Sequence, residues 1–156
     1  MATIFLPNEY KAVAQSLCDN KLESTGTSSL SSYMELACLA AMVAYSENGN
    51  ELEADSFDNG NEIPSRIFEG NQRDGIVYLL ALQLEKDGEI LRDGRENDCW
   101  KIAERYAAAG MKILDEWLEN NPSDPDGVET ILYNMKRVAN RLSDEEESES
   151  PIKIEI

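Results

Sequence analysis

The stretch from Tyr33 to Ser46, YMELACLAAMVAYS, carries a single charge, Glu35, and spreads apolar residues around nearly the whole circumference of a helix. A helix that is apolar on all sides is stable only when other elements cover it, so the chain must fold around this segment. Ser32 with Glu35 three residues on forms a capping box that starts the helix. The Ser, Thr and Gly-rich NKLESTGTSSLSS before it reads as the loop delivering the chain to that cap.

Other helical patterns supply the cover. Asn8 to Cys18 places Tyr10, Val13, Ala14 and Leu17 on one face. Pro64 suits a first helical turn, so Ser65 to Glu69 makes one or two turns before Gly70. Asp74 to Lys86, with Ile76, Val77, Leu79, Leu80, Leu82 and Leu84, reads as a second mostly buried helix that Gly88 closes. The longest pattern runs from Asp98 to Asn120. Ile102, Tyr106, Ala109, Ile113 and Trp117 form one stripe and Ala103, Ala107, Gly110, Leu114 and Leu118 the next, leaving Lys101, Glu104, Arg105, Asp115 and Glu116 to water. Pro122 steers the residue before it out of the helical region and ends this helix. Asp124-Pro125 then starts a last helix with Val128, Ile131, Leu132, Met135, Val138 and Leu142 on its apolar face. These elements predict a mainly all-α, single-domain bundle of about five helices, with those at 33–46 and 74–86 in the centre.

Two stretches interrupt or follow the bundle. Residues 47–62, ENGNELEADSFDNGNE, hold two Asn-Gly turn signals around an acidic segment and read as an exposed excursion with room for a short β-ribbon over 48–62. After residue 142, SDEEESESPIKIEI holds six acids and one Lys, giving −5 of the formal −17 and leaving −12 on residues 1–142. That composition predicts a helical domain over 1–142 and an acidic, disordered tail over 143–156.

Charge then excludes whole classes of function. Thirty-one Asp and Glu stand against fourteen Lys and Arg, with no His among 156 residues. A protein that neutralises phosphates needs clustered cations, so direct nucleic-acid binding is not expected. Without imidazole the chain lacks the side chain that titrates near neutrality and the commonest nitrogen ligand for metals. There is neither a G-x-x-x-x-G-K-[ST] nor a G-x-G-x-x-G phosphate cradle. Reading DSFDNGNEIPSR as a calcium loop with Gly60 at position 6 puts Phe57 and Arg66 where oxygens are required. Acid pairs such as Glu51 with Glu53, or Asp124 with Asp126, read as solvated loops. No catalytic residue, cofactor or metal is assigned, and the chain is not read as an enzyme. Cys18, Cys38 and Cys99 are odd in number and widely spaced, which suits a reducing cytosol and small buried side chains. No run approaches the roughly 20 apolar residues that span a bilayer. A cytoplasmic protein without membrane attachment is expected.

Two features hint at close packing or contact. Gly110 inside a helical pattern costs about 1 kcal/mol relative to Ala, which close approach of another helix would explain: an intramolecular neighbour such as the 74–86 helix, or a partner's helix. Trp100 and Trp117 read as core or rim anchors, and as interface anchors if exposed.

Three blocks in order, YMELACLAAMVAYSENG at 33–49, IFEGNQRDGIVYLLALQLEKDGEIL at 67–91 and KIAERYAAAGMKILDEWL at 101–118, resemble the DNA phosphorothioation-associated protein 4 family, accessory proteins encoded beside DNA phosphorothioation (Dnd) genes. The similarity spans roughly 33–118. Its motifs are packing signatures, so Leu79, Leu80, Tyr106 and Gly110 carry over only as fold determinants. The resemblance implies a bacterial protein in a defence island whose neighbours sulfur-modify DNA or restrict unmodified phage DNA.

The combined expectation is a non-catalytic accessory subunit that docks through its acidic surface onto DNA-handling proteins with basic surfaces. The alternative is an acidic DNA mimic that occupies a nuclease, restriction system or repressor. The residues expected to meet a partner are Glu51, Glu53, Asp55, Asp58, Trp100, Asp144, Glu145, Glu146 and Glu147; self-association is left open.

Overall fold

Residues 2–21, 26–49 and 57–149 are described by a computed structural model, side chains of 147–149 excepted. In chain order they form β1 (Thr3–Pro7), α1 (Lys11–Cys18), α2 (Tyr33–Asn48), β2 (Asn59–Pro64), α3 (Ser65–Gly70), α4 (Asp74–Glu85), α5 (Glu96–Glu119) and α6 (Val128–Glu149). Short 3-10 turns at Asn8–Tyr10 and Gly88–Leu91 lead into α1 and follow α4. The fold is mainly helical, as its patterns predict.

Ser32 caps α2 as expected, its Oγ accepting from Glu35 N–H at 3.2 Å. Eight residues of α2 are buried. Its main companion is α5 rather than α4, which corrects the expected centre. Small side chains decide this. Ala37, Ala40, Ala41 and Ala44 of α2 and Ala103, Ala107 and Gly110 of α5 are all buried, so the two backbones approach closely. At Gly110 a Cβ would stand 1.7 Å from the Ala40 carbonyl oxygen. The glycine is therefore an intramolecular contact with α2, not with the 74–86 helix. By contrast α4 buries only Val77, Leu80 and Ala81, and Leu79 is 62% exposed. A leucine-rich helix that packs one face has more apolar residues than its contact uses. Its end also differs from expectation: Lys86, not a glycine, takes the left-handed cap at φ 57°. Gly88 instead opens the 3-10 turn, where the Asp87 carboxylate accepts from Glu89 N–H at 3.0 Å.

Of the stretch expected to hold a short β-ribbon, 48–62, residues 50–56 lie outside the described residues, and its end does form a strand, whose partner is distant in sequence. β2 lies at Asn59–Pro64 and pairs antiparallel with β1 at the far N-terminus, Ile4 opposite Ile63 and Phe5 opposite Glu62. The register slips between Phe5 and Pro7. Gly60 sits at this bulge, where a Cβ would meet Leu6 O at 2.7 Å. Ile4 and Leu6 point into the core, and β1 lies along α5.

The other edge of β1 meets a side chain instead of a strand. Phe5 N–H donates to Glu104 Oε2 at 2.9 Å, so Glu104 is half-buried rather than facing water. Burial pushes its carboxyl up, and the Phe5 hydrogen bond and Lys101 oppose that rise. An acid with a raised folded-state pKa disfavours the fold as it ionises, so this part of the stability falls as pH climbs through the carboxylate range. Glu104→Gln keeps the acceptor and abolishes the ionisation; it should melt at or above the native temperature at neutral pH. Glu104→Leu orphans the Phe5 N–H and should lose about 1–3 kcal/mol in denaturant unfolding. Equal stability of the Leu and Gln variants would show that the bond contributes nothing.

The last helix starts later and runs further than its sequence suggests. Asp124 and Pro125 lie in a turn before it, and Asp124 Oδ2 reaches forward to accept from Thr130 N–H and Oγ1, both at 2.7 Å. Burial raises the Asp124 carboxyl, but these hydrogen bonds outweigh it and hold the group below its usual range. At the other end α6 continues through Glu149, into the stretch read from sequence as the acidic tail. Glu is a strong helix former, and Arg141 with Glu145 forms an i,i+4 pair at 3.9 Å. Residues 150–156 of the expected tail lie outside the described residues. Arg137 and Arg141 tie α6 to the end of α2: both pair with Glu47, and Arg141 donates to Ser46 O at 2.6 Å. Cations at a helix C-terminus complement its dipole.

Candidate functional site

The side chains best placed for contact lie between α2 and α6. Leu39, Met42, Val43 and Ser46 of α2 face Met135, Val138, Ala139 and Leu142 of α6 across a groove of about 250 Å3, with Trp117 of α5 also lining it. Ile131 and Val138 bury one face of α6, while Leu132, Met135 and Leu142 stay exposed. The groove offers desolvation and no acid or base: Ser46 is the polar residue among its linings. A larger, open depression of about 760 Å3 over the α1–α2 connection is lined by Ser28, Ser29, Ser31, Asp19, Lys21 and their neighbours. It is open to solvent, so it encloses little of any ligand.

Acids gather at two places. On α6, Asp144, Glu145 and Glu146 are exposed in the turns after Leu142. Where the entry to α1 meets the end of α5, burial and then the nearby Glu119, Glu9 and Glu116 push the Asp115 carboxyl up. Glu9 and Asp115 are far apart in sequence, and periodicity gave no sign that they converge.

The residues expected to meet a partner divide accordingly. Asp144, Glu145 and Glu146 stand together on α6, and Glu147 follows on the same helix with its side chain outside the described set. Asp58 is exposed ahead of β2, and its carbonyl accepts from Asn8 N–H at 2.8 Å. Glu51, Glu53 and Asp55 lie outside the described residues. Trp100 is corrected: it is 3% exposed and packs edge-on against Phe68, with ring centroids 5.3 Å apart, and against Tyr78 at 6.4 Å. It is a core side chain.

The groove itself escaped sequence reading, although its signal was present. Periodicity places the apolar residues of α6 on one face, yet Leu132, Met135 and Leu142 are exposed beside the buried Ile131 and Val138. The thiols are not poised nucleophiles: burial, then neighbouring Asp19 and Glu35 respectively, push Cys18 and Cys38 up to about 11. Among the described residues no three Cys, Asp or Glu side chains group to hold a metal ion. None of the described helices is long and apolar enough to cross a membrane.

No curated protein and no solved structure matches this chain. A family model does, described as DNA sulphur modification system-associated protein 4, over residues 4–152, and so takes in β1 and α6 as well as the three blocks that carry the resemblance. With nearly its whole length matched, the chain belongs to the DNA sulphur modification system-associated protein 4 family.

Proposed function

We propose that this chain is a non-catalytic accessory subunit of a DNA sulphur modification system, acting by docking onto basic partner proteins through its acidic surface. The family's association with such a system supplies the setting. The supporting observation is the charge imbalance. Even if every Lys and Arg paired with its own carboxylate, seventeen carboxylates would be left over. Exposed acids such as Asp144, Glu145 and Glu146 face solvent, where a field of one sign steers oppositely charged partners and repels DNA.

The test is capture of basic proteins of the sulphur modification system from the native host, followed by titration of the purified pair. The expected result is a partner whose affinity falls about tenfold or more between low and high salt, and again when Asp144, Glu145 and Glu146 are changed to Lys. Absence of a partner at every salt concentration would count against docking. Displacement of DNA from a nuclease or repressor by the purified chain would replace the accessory reading with that of a DNA mimic.

A further inference from the structure

We propose that the groove between α2 and α6 seats an amphipathic helix of a partner protein whose apolar stripe is flanked by Lys or Arg; this deepens the docking reading above and rests on it. Spacing along α6 carries the first step. Leu132, Met135, Ala139 and Leu142 recur at intervals of three, four and three residues, the alternation that keeps one seam facing a neighbouring helix in a left-handed pair. The core already takes the adjacent face through Ile131, and Val138 is buried among the linings of the groove. The 132–142 seam is thus a second apolar face. Leu132, one turn before the groove, is 51% exposed; within the groove Met135 is 43% exposed, Leu142 39%, and Met42 on the opposite wall 53%. Single exposed apolar side chains are ordinary, but several aligned along one groove mark a contact surface. Methionine on both walls lets the groove adapt to an incoming side chain.

Charge selects the occupant. The three-four spacing continues from Leu142 to Glu146, with Asp144 and Glu145 exposed beside it, so the groove ends in acids. The nearby Arg137 and Arg141 are offset by Glu47, which pairs with both, and by Glu145, which pairs with Arg141. Lys136, exposed next to Met135, is outweighed by Asp144 and Glu146. Around the groove the molecule carries its −17. That field draws in a helix with cationic flanks and repels a second copy of this chain.

The probe is a synthetic amphipathic helix with leucines at three-four spacing and lysines on both flanks, titrated calorimetrically against the full-length chain. Binding is expected, and it should weaken about tenfold or more when glutamates replace the lysines. It should weaken similarly in the charge-neutral L132Q/M135Q variant, and in Met42→Gln on the other wall, both with native-like melting because these side chains are exposed. Absence of binding, or undiminished binding to both variants, overturns the proposal. So does a dimer in sedimentation that L132Q/M135Q dissociates, since the occupant would then be a second copy. The two readings fail separately: a basic host partner held at full affinity by L132Q/M135Q and by Met42→Gln would sink the groove and leave acidic docking standing.

Discussion

Gly110→Ala should cost the protein about 3 kcal/mol or more and lower its melting temperature by roughly 10 °C, or prevent folding altogether. The added Cβ would lie 1.7 Å from the Ala40 carbonyl oxygen, 2.3 Å from its carbon and 2.7 Å from its Cα. All three atoms are backbone, so no rotamer change in α2 relieves the clash. Only a separation of α2 from α5 would, and that opens the most extensive helix contact in the fold. The stability of a domain amounts to about 5–15 kcal/mol, so a loss of this size removes a large share of it. Helix propensity argues the other way, favouring Ala over Gly by about 1 kcal/mol, and packing outweighs it here. Gly75→Ala isolates the propensity effect, because a Cβ at Gly75 meets nothing within 4 Å. That control should be neutral or slightly stabilising. A Gly110→Ala protein that melts like the native one would show that the two helices are not in contact at this point.

The same residue illustrates how far local pattern reaches. A glycine in a helical run announces that something comes close; it does not name the neighbour, because helix partners are set by the three-dimensional fit of whole faces. Hence α5 was legible as the longest helix, and its choice of α2 over α4 was not. The strand pair shows the limit again. Thr3 to Leu6 alternate in burial, but the partner strand lies more than fifty residues away, beyond the reach of any turn signal. Asn-Gly at 59–60 signals a local turn by composition, whereas Gly60 serves the close crossing of Leu6 and Asn8. For the candidate site, composition showed the acidic character at once, since charge needs no fold to be counted. The groove needed the fold, because only the position of α2 makes Met135, Val138 and Leu142 one wall of a groove.

Trp100→Ala should destabilise the chain by about 3–5 kcal/mol. The indole is 3% exposed, with Phe68 and Tyr78 packed edge-on against it, so truncation leaves a cavity lined by rings from α3 and α4. Those short helices have few other anchors: α3 buries only Ser65 and Phe68. Aromatic edge contacts add about 0.5–1.5 kcal/mol beyond burial, so Trp100→Phe, which keeps a ring, should recover much of the loss. Denaturant unfolding of the two variants, with the near-ultraviolet aromatic signal followed in parallel, measures both effects. An anchor that met a partner would behave differently, since truncation would leave the free chain's unfolding unchanged and weaken only the complex. If Trp100→Ala unfolds like the native chain yet loses a partner, then the ring is part of an interface and the packing of α3 and α4 on α5 must be redrawn.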